Sequence, residues 1–179
     1  YVRENPRSLA EHLSNGNAFN INSKKGKLQV LFSNNSTVND IYNTDVAAYA
    51  ENINIIERSS NNYVIIAPSY MIYSQDYSAL LHQHVESGAD ITCLYHRVNN
   101  AKDHFINCNT LNLNRQKGVL SIDKNRGTAA SRNIFLNTYV MKKDLFIDLI
   151  RKSREYSSVY TMAQTVDHAC KSGDYDVRG

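Results

Sequence analysis

The chain has 179 residues, which is enough for one domain with its own hydrophobic core. Its formal net charge is only +3 and its basic residues are scattered, so it lacks the concentrated positive charge of a nucleic-acid-binding protein. The 3 cysteines are odd in number and far apart, which argues against a disulfide framework or a zinc site and favours a reducing cytoplasm. No apolar run approaches the roughly 20 residues of a membrane-spanning helix, so we expect a soluble protein with neither a membrane nor nucleic acid as its partner.

Both ends of the chain are expected to be internal to a longer protein. The sequence starts with Tyr1 rather than Met, and it ends soon after the strand-like Tyr175-Asp176-Val177. No repeat or linker divides the segment between them. We therefore expect residues 1–179 to form a single partial domain.

The first elements in chain order are a short helix, a strand and a longer helix. An apolar pair four residues apart predicts a helix with Ser8 as its N-cap, ending before Gly16. A β-prone run predicts a strand from Leu28 to Phe32. Apolar residues at spacings of three and four then predict an amphipathic helix from about Asp45 to Arg58.

A continuous apolar run follows, from Tyr63 to Ala67, and predicts a strand buried on both faces near the centre of a parallel sheet. The next helix takes Asp76 or Ser78 as its N-cap, and a second strand covers Ile91 to Tyr95. A strand, helix, strand unit implies a right-handed crossover between parallel strands. Because ligands bind beyond the carboxyl ends of such strands, the loop from Pro68 to Gln75 is the predicted ligand loop.

The remainder of the chain predicts a hairpin, a strand and two helices. The hairpin has its turn at Arg115 to Gly118. A strand is predicted from Ile134 to Met141, a helix from Lys142 to Arg151, and a last helix from about Met162 to Lys171. The alternation of strands and helices indicates an α/β domain.

Two histidines on the helix capped by Asp76 or Ser78 were considered as metal ligands. His82 and His84 lie two positions apart, and such residues point in different directions on a helix. We therefore expect both to be surface residues, with no metal site.

Five short segments carry a family resemblance, and their shared order is the stronger argument. They are Arg7 to Leu13 with Gly16-Asn17-Ala18-Phe19, Asn52 to Ser59, Ser69 to Tyr73 with Asp76-Tyr77, Gly88-Ala89-Asp90-Ile91-Thr92, and Asn137-Thr138-Tyr139-Val140-Met141. Together they resemble the glucose-1-phosphate adenylyltransferases, and Asn52 to Ser59 resembles the non-catalytic GlgD-type subunits. The resemblance implies a Rossmann-like nucleotide-diphospho-sugar transferase fold (GT-A-like), with a mixed, mostly parallel sheet flanked by helices and truncated at both ends. It also implies a nucleotide loop before the first residue and a β-helix domain after the last.

The family reaction converts ATP and glucose-1-phosphate to ADP-glucose and diphosphate, so the resemblance implies ATP and Mg²⁺ for it. In the catalytic enzymes a carboxylate in the loop after the central strand holds the metal. That position is Tyr70 here, and Ser69 replaces the preceding Gly. A phenol with an ordinary pKa of about 10 is a poor ligand for a hard cation. The resemblance therefore implies a subunit of glycogen biosynthesis with a degraded metal site and no intact catalytic residue.

Two further residues are candidates for binding the sugar phosphate. Lys124 stands where the family has a lysine that contacts the phosphate, and a positive charge suits a phosphate oxygen. Asn137 resembles a strand residue that lines the sugar pocket. The alternatives are that Lys124 is only a solvated lysine on a turn, and that Asn137 only forms a hydrogen bond with a neighbouring backbone group.

The resemblance implies a regulatory subunit that pairs with a catalytic glucose-1-phosphate adenylyltransferase subunit in the cytoplasm. Such a subunit would bind glucose-1-phosphate or nucleotide without turning it over on its own. Two alternatives stay open. One is an active sugar-1-phosphate nucleotidyltransferase, and the other is a binding module that senses a sugar phosphate or a nucleotide.

Overall fold

The computed structural model describes residues 6–13, 26, 28–31 and 40–179. Its helices are α1 (Pro6–Leu13), α2 (Asp45–Glu51), α3 (Ile53–Glu57), α4 (Tyr77–Ser87), α5 (Lys143–Tyr156) and α6 (Met162–Ser172), with a short 3₁₀ helix at Asp40–Tyr42. Its strands are β1 (Tyr63–Ile66), β2 (Ile91–Val98), β3 (Asn109–Leu113), β4 (Val119–Lys124), β5 (Arg132–Lys142) and β6 (Val177–Arg178). The strands join in one sheet. The Rossmann-like mixed α/β class is thereby confirmed, but the pairings between the described strands are mostly antiparallel rather than mostly parallel.

The sheet is organised around β5, which has 11 residues. Along one edge of β5 lies β2, antiparallel to it, and β6 runs parallel to β2 on the far side. Along the other edge of β5 lie β1 and β3, both antiparallel to it, and β4 pairs with β3. Strands β1, β2, β3 and β6 therefore run in one direction, while β4 and β5 run in the other.

β1 is not the buried central strand that the sequence predicts. In the described part of the chain it pairs with β5 alone, and Ile65 is 36% exposed. β1 and β2 do run parallel, as a crossover requires, but the antiparallel β5 lies between them. A short apolar run carries no information about how many neighbours a strand has, because those neighbours come from distant parts of the chain.

The main core lies between the sheet and the helices α2, α5 and α6. Its most deeply buried side chains include Ile91, Phe135, Met141, Phe146 and Val166, each at most 1% exposed. Burying a side chain of this size contributes about 1.5–3 kcal/mol. This packing fixes one face of the sheet and leaves the other face to α4 and the loops.

Helix ends agree well with the sequence where the capping is local. The carboxylate of Asp76 accepts hydrogen bonds from the backbone N–H groups of Ser78 and Ala79, at 2.9 and 3.1 Å, and so caps α4. Gly88 ends α4 and Gly173 ends α6, with φ of 66° and 75°, in the left-handed conformation that glycine adopts without strain. The β3–β4 hairpin, β5, α5 and α6 are likewise confirmed.

Two predictions near the start of the chain are wrong. α1 begins at Pro6, so Ser8 lies inside the helix and does not cap it. Proline is favoured at the first helical position because its missing N–H would have no helical partner there. Residues 28–31 have no regular secondary structure, so the predicted strand does not form over them. Phe32 and the motif at 16–19 lie outside the described residues.

The long helix predicted from Asp45 to Arg58 is divided in two at Asn52. The φ and ψ of Asn52 are −110° and 15°, and its side-chain amide donates to the carbonyl of Ala48 at 3.1 Å. A short amide side chain competes with the backbone for hydrogen bonds and so favours helix ends. Apolar periodicity continues across the break, which is why the pattern predicts one helix.

Within the described ranges, no helix is both long and apolar enough to cross a membrane.

Candidate functional site

The candidate site is built at an interruption of β5. Leu94 of β2 pairs with Thr138, but the next residue of β2 pairs with Phe135, so Leu136 and Asn137 bulge out of the register. Asn137 has a φ of 48°, a left-handed conformation that asparagine adopts more readily than most residues. Bulges of this kind re-aim side chains next to functional sites.

The bulge lies beside a gap in the sheet. β1 pairs with β5 as far as Tyr139, and β3 meets the same edge of β5 at Ile134. The residues of β5 between these two points therefore have no strand beside them on that edge in the described structure. The predicted ligand loop, 68–75, leaves β1 at this gap.

Three side chains, joined by hydrogen bonds, cross the gap. The side-chain amide of Asn109, the first residue of β3, donates to Oδ1 of Asn137 at 2.7 Å. Nδ2 of Asn137 in turn donates to the hydroxyl of Tyr70 at 2.6 Å. Two of the predicted site residues, Tyr70 and Asn137, are thus in contact although 67 positions separate them in the sequence. Asn109 was missed, because nothing distinguishes it from the many other asparagines of this chain.

A second tyrosine attaches the same loop to β5. The hydroxyl of Tyr73 forms a short hydrogen bond with Oγ1 of Thr138, a residue with no exposed surface. The hydroxyl of Tyr77 donates to that of Tyr73 at 3.4 Å. This hydrogen bond, followed by burial, raises the pKa of Tyr77 to about 12. Tyr77 is therefore a neutral group at neutral pH.

Lys124 is the nearest candidate for a positive charge. It is exposed, ends β4, and is the direct cross-strand partner of Asn109. Direct partners lie on the same face of a sheet with Cβ atoms about 5 Å apart. Lys124 therefore belongs to the same surface as the hydrogen-bonded side chains of Asn109, Asn137 and Tyr70, and it is exposed to ligand or solvent.

Asn125, immediately after Lys124, holds the adjoining loop in place. It is 1% exposed, and its side-chain amide donates to the carbonyls of Ala101 at 2.7 Å and of His104 and Phe105 at 3.1 Å. The sequence analysis gave this position no role. A buried amide with three carbonyl partners can be recognised only once the loop and the strand end are brought together.

The groups around the gap are a phenol, two carboxamides and one lysine. Such groups donate hydrogen bonds to hydroxyl groups and accept them, and the lysine adds a charge suited to phosphate.

Among the described residues, no group of three or more His, Cys, Asp or Glu side chains is placed to hold a metal ion. Two cavities lie elsewhere: one of about 300 Å³ is lined by Asn62, Tyr63, Lys142, Lys143 and Asp144, and one of about 50 Å³ lies between α5 and α6. The gap itself is an open surface.

The expectation that both helical histidines are surface residues is wrong for one of them. His82 is exposed and lies 3.4 Å from Glu86, but His84 is only 2% exposed. Nδ1 of His84 is hydrogen-bonded to Oγ1 of Thr92 at 2.7 Å, so the ring packs against the sheet. Burial lowers the pKa of His84; the charge of Asp90 opposes this shift and that of Lys142 adds to it. A histidine on the inner face of α4 thus serves packing.

Fold and site together define an α/β domain of the nucleotide-diphospho-sugar transferase type. Residues 1–175 match the nucleotidyl transferase family, and the chain belongs to that family.

The similar proteins fit the resemblance to glucose-1-phosphate adenylyltransferases. The glycogen biosynthesis protein GlgD of Geobacillus stearothermophilus is 32% identical over 97 residues, which cover 51% of this chain and 27% of that protein. The glucose-1-phosphate adenylyltransferase of Roseobacter denitrificans is 37% identical over 86 residues, covering 48% of this chain and 20% of the enzyme. That of Mycoplasma mobile is 27% identical over 157 residues, covering 84% of this chain and 40% of the enzyme. The matches therefore span well under half the length of each relative.

Proposed function

We propose that this chain is the sugar-phosphate-binding part of a glucose-1-phosphate adenylyltransferase subunit in glycogen biosynthesis, and that the subunit is regulatory. The observation that carries the proposal is the hydrogen bond from the Asn137 amide to the hydroxyl of Tyr70. Tyr70 is the residue at the family's metal-carboxylate position. The similarity to a protein named GlgD supports the assignment to glycogen biosynthesis.

The environment of Tyr70 does not suit a metal ion. Nucleotidyl transfer builds negative charge that a divalent cation neutralises, and Mg²⁺ prefers carboxylate, phosphate and water oxygens. At Tyr70 the available oxygen is a phenol, and an amide N–H of Asn137 already points at it. A positively polarised hydrogen and a cation compete for the same oxygen lone pairs. We therefore assign no catalytic step to this site.

The remaining groups suit binding without turnover. Asn137 is oriented by Asn109 and presents an amide to the gap, and Lys124 supplies a positive charge on the neighbouring strand. A sugar hydroxyl and a phosphate are the ligand groups that match this pair. Such a subunit acts in the cytoplasm by pairing with a catalytic glucose-1-phosphate adenylyltransferase subunit and changing its rate or its response to effectors.

The test is ADP-glucose formation from ATP, Mg²⁺ and glucose-1-phosphate. The whole protein is assayed alone and then mixed with the catalytic subunit of the same organism. We expect no activity alone and a changed rate or effector response of the partner in the mixture. Robust activity of the protein alone would refute the regulatory role.

That last outcome would support a second candidate function, an active sugar-1-phosphate nucleotidyltransferase. One observation favours it: a protein named glucose-1-phosphate adenylyltransferase aligns with 84% of this chain. In that case carboxylates from other parts of the protein would have to bind the metal in place of Tyr70.

A further inference from the structure

We propose that the hydroxyl of Tyr70 occupies the position on Asn137 that a sugar hydroxyl takes, so that ligand binding exchanges one hydroxyl for another. The inference rests on the function proposed above, because it takes Asn137 as a sugar-binding residue. It adds that the site recognises a neutral hydroxyl directly, without a metal ion, and that Tyr70 lowers the affinity for the ligand by competing for Asn137.

The orientation of the Asn137 amide supports this exchange. Asn109 donates to Oδ1 of Asn137 at 2.7 Å, so the carbonyl side of the amide is already engaged within the sheet. The Nδ2 group is left to point at Tyr70, 2.6 Å away. Any hydroxyl oxygen at that point accepts the same hydrogen bond, whether it belongs to the protein or to a sugar.

Tyr70 is also held weakly enough to leave. Its side chain is 71% exposed, and Ile72, two residues on, is fully exposed, so little apolar contact fixes this part of the loop. The net contribution of one exposed hydrogen bond between neutral groups is small. Tyr73 differs, because it reaches Thr138, which is fully buried. The loop can therefore stay attached through Tyr73 while the Tyr70 ring moves aside.

The ligand class follows from the two kinds of group. A hydroxyl matches Asn137, and a phosphate matches Lys124, which lies opposite Asn109 in the hairpin. A sugar phosphate carries both groups on one small molecule. Inorganic phosphate carries only the second, so it separates the two contributions.

The experiment is calorimetric titration of the whole protein with glucose-1-phosphate in the presence of EDTA. Tyr70→Phe removes only the competing hydroxyl, and we expect the affinity to rise by about two- to tenfold, the range of one neutral hydrogen bond. Tyr156→Phe is the matched control, because Tyr156 is an exposed tyrosine at the end of α5, and its affinity should equal that of the wild type. The affinity for inorganic phosphate should be the same in all three proteins.

A second variant tests whether the effect passes through Asn137. Asn137→Gly removes the amide while keeping a residue that accepts the left-handed backbone. We expect weaker glucose-1-phosphate binding, and we expect Tyr70→Phe to have no further effect in that background, because the shared partner is gone.

Three results would overturn the exchange. They are a Tyr70→Phe protein that binds glucose-1-phosphate no more tightly than the wild type, an equal gain in the Asn137→Gly background, and an equal gain for inorganic phosphate. A lack of glucose-1-phosphate binding by both wild type and Tyr70→Phe would also overturn it. The regulatory role would still stand in that case if mixing changed the rate of the catalytic partner.

Discussion

The core and the gap beside β5 are stabilised by different interactions. On the face covered by α2, α5 and α6, apolar side chains such as Phe135 and Phe146 are at most 1% exposed and pack against one another. At the gap beside the β5 bulge, Tyr70 and Asn137 make a polar contact on an open surface. Substitutions in the core should therefore change stability, whereas substitutions at the gap should change binding and leave the fold almost unaltered.

The largest effect is expected in the core. Phe146→Ala removes a ring that is 1% exposed and packs edge-on against the ring of Tyr49, with 5.5 Å between the two ring centroids. We expect the free energy of unfolding to fall by about 3–5 kcal/mol, since lost burial and a new cavity add together. Urea unfolding followed by circular dichroism measures this. Phe146→Leu, which keeps most of the volume, should cost much less, and equal losses for the two variants would refute the packing argument.

A smaller loss of stability is expected at a buried polar residue near the site. Asn125→Ala leaves the carbonyls of Ala101, His104 and Phe105 without their amide partner. Leaving such groups unsatisfied costs about 1–3 kcal/mol. The same unfolding assay applies, with the exposed Asn99→Ala as its control. If Asn125→Ala were as stable as Asn99→Ala, the loop would not depend on this residue.

His84 should make the free energy of unfolding depend on pH. Its folded-state pKa is lowered by burial, so as the pH falls the unfolded chain binds the proton first. The contribution of His84 to stability is therefore complete above about pH 6.5, the ordinary histidine value. It is lost as the pH falls from there through the lower folded-state pKa. Unfolding at pH 7.5 and pH 5.5 should show a smaller drop for His84→Gln than for the wild type. His82→Gln, an exposed neighbour, should behave like the wild type, and an identical drop in all three proteins would contradict the prediction.

The smallest effect on the fold is expected at Tyr70. Tyr70→Asp places a carboxylate at the family's metal position on an exposed loop, so the free energy of unfolding should change by no more than about 0.5 kcal/mol. We expect Mg²⁺ affinity of the whole protein to increase, measured by calorimetry. Tyr70→Asn is the uncharged control and should bind no better than the wild type. No gain for Tyr70→Asp would contradict the proposal that a metal-binding carboxylate has been lost at this position.

The parts of the fold that were predicted well are governed by local interactions. The cap at Asp76 and the helix end at Gly88 depend on hydrogen bonds and backbone conformations within a few residues, and such signals are readable in sequence. Asn52 shows the limit of this approach. One side-chain amide overrides an apolar period that continues through it.

The candidate site was predicted one residue at a time. Tyr70 and Asn137 were each identified by a family motif, but their contact was not, and Asn109 was not identified at all. Asn125 was not identified either, although its buried side chain holds the loop by hydrogen bonds. Contacts of this kind join segments that lie far apart in the chain, and no local pattern encodes them.

The α/β class, the family resemblance and most helix and strand positions could be predicted from the sequence alone. Only the tertiary structure decided that β1 lies beside an antiparallel β5, that His84 faces the sheet, and that the bulge at Asn137 meets Tyr70. The physical reason is that propensity, capping and periodicity act within one or two turns of the chain. Strand order, burial of a particular helix face and contacts across a gap depend on which distant segments pack together.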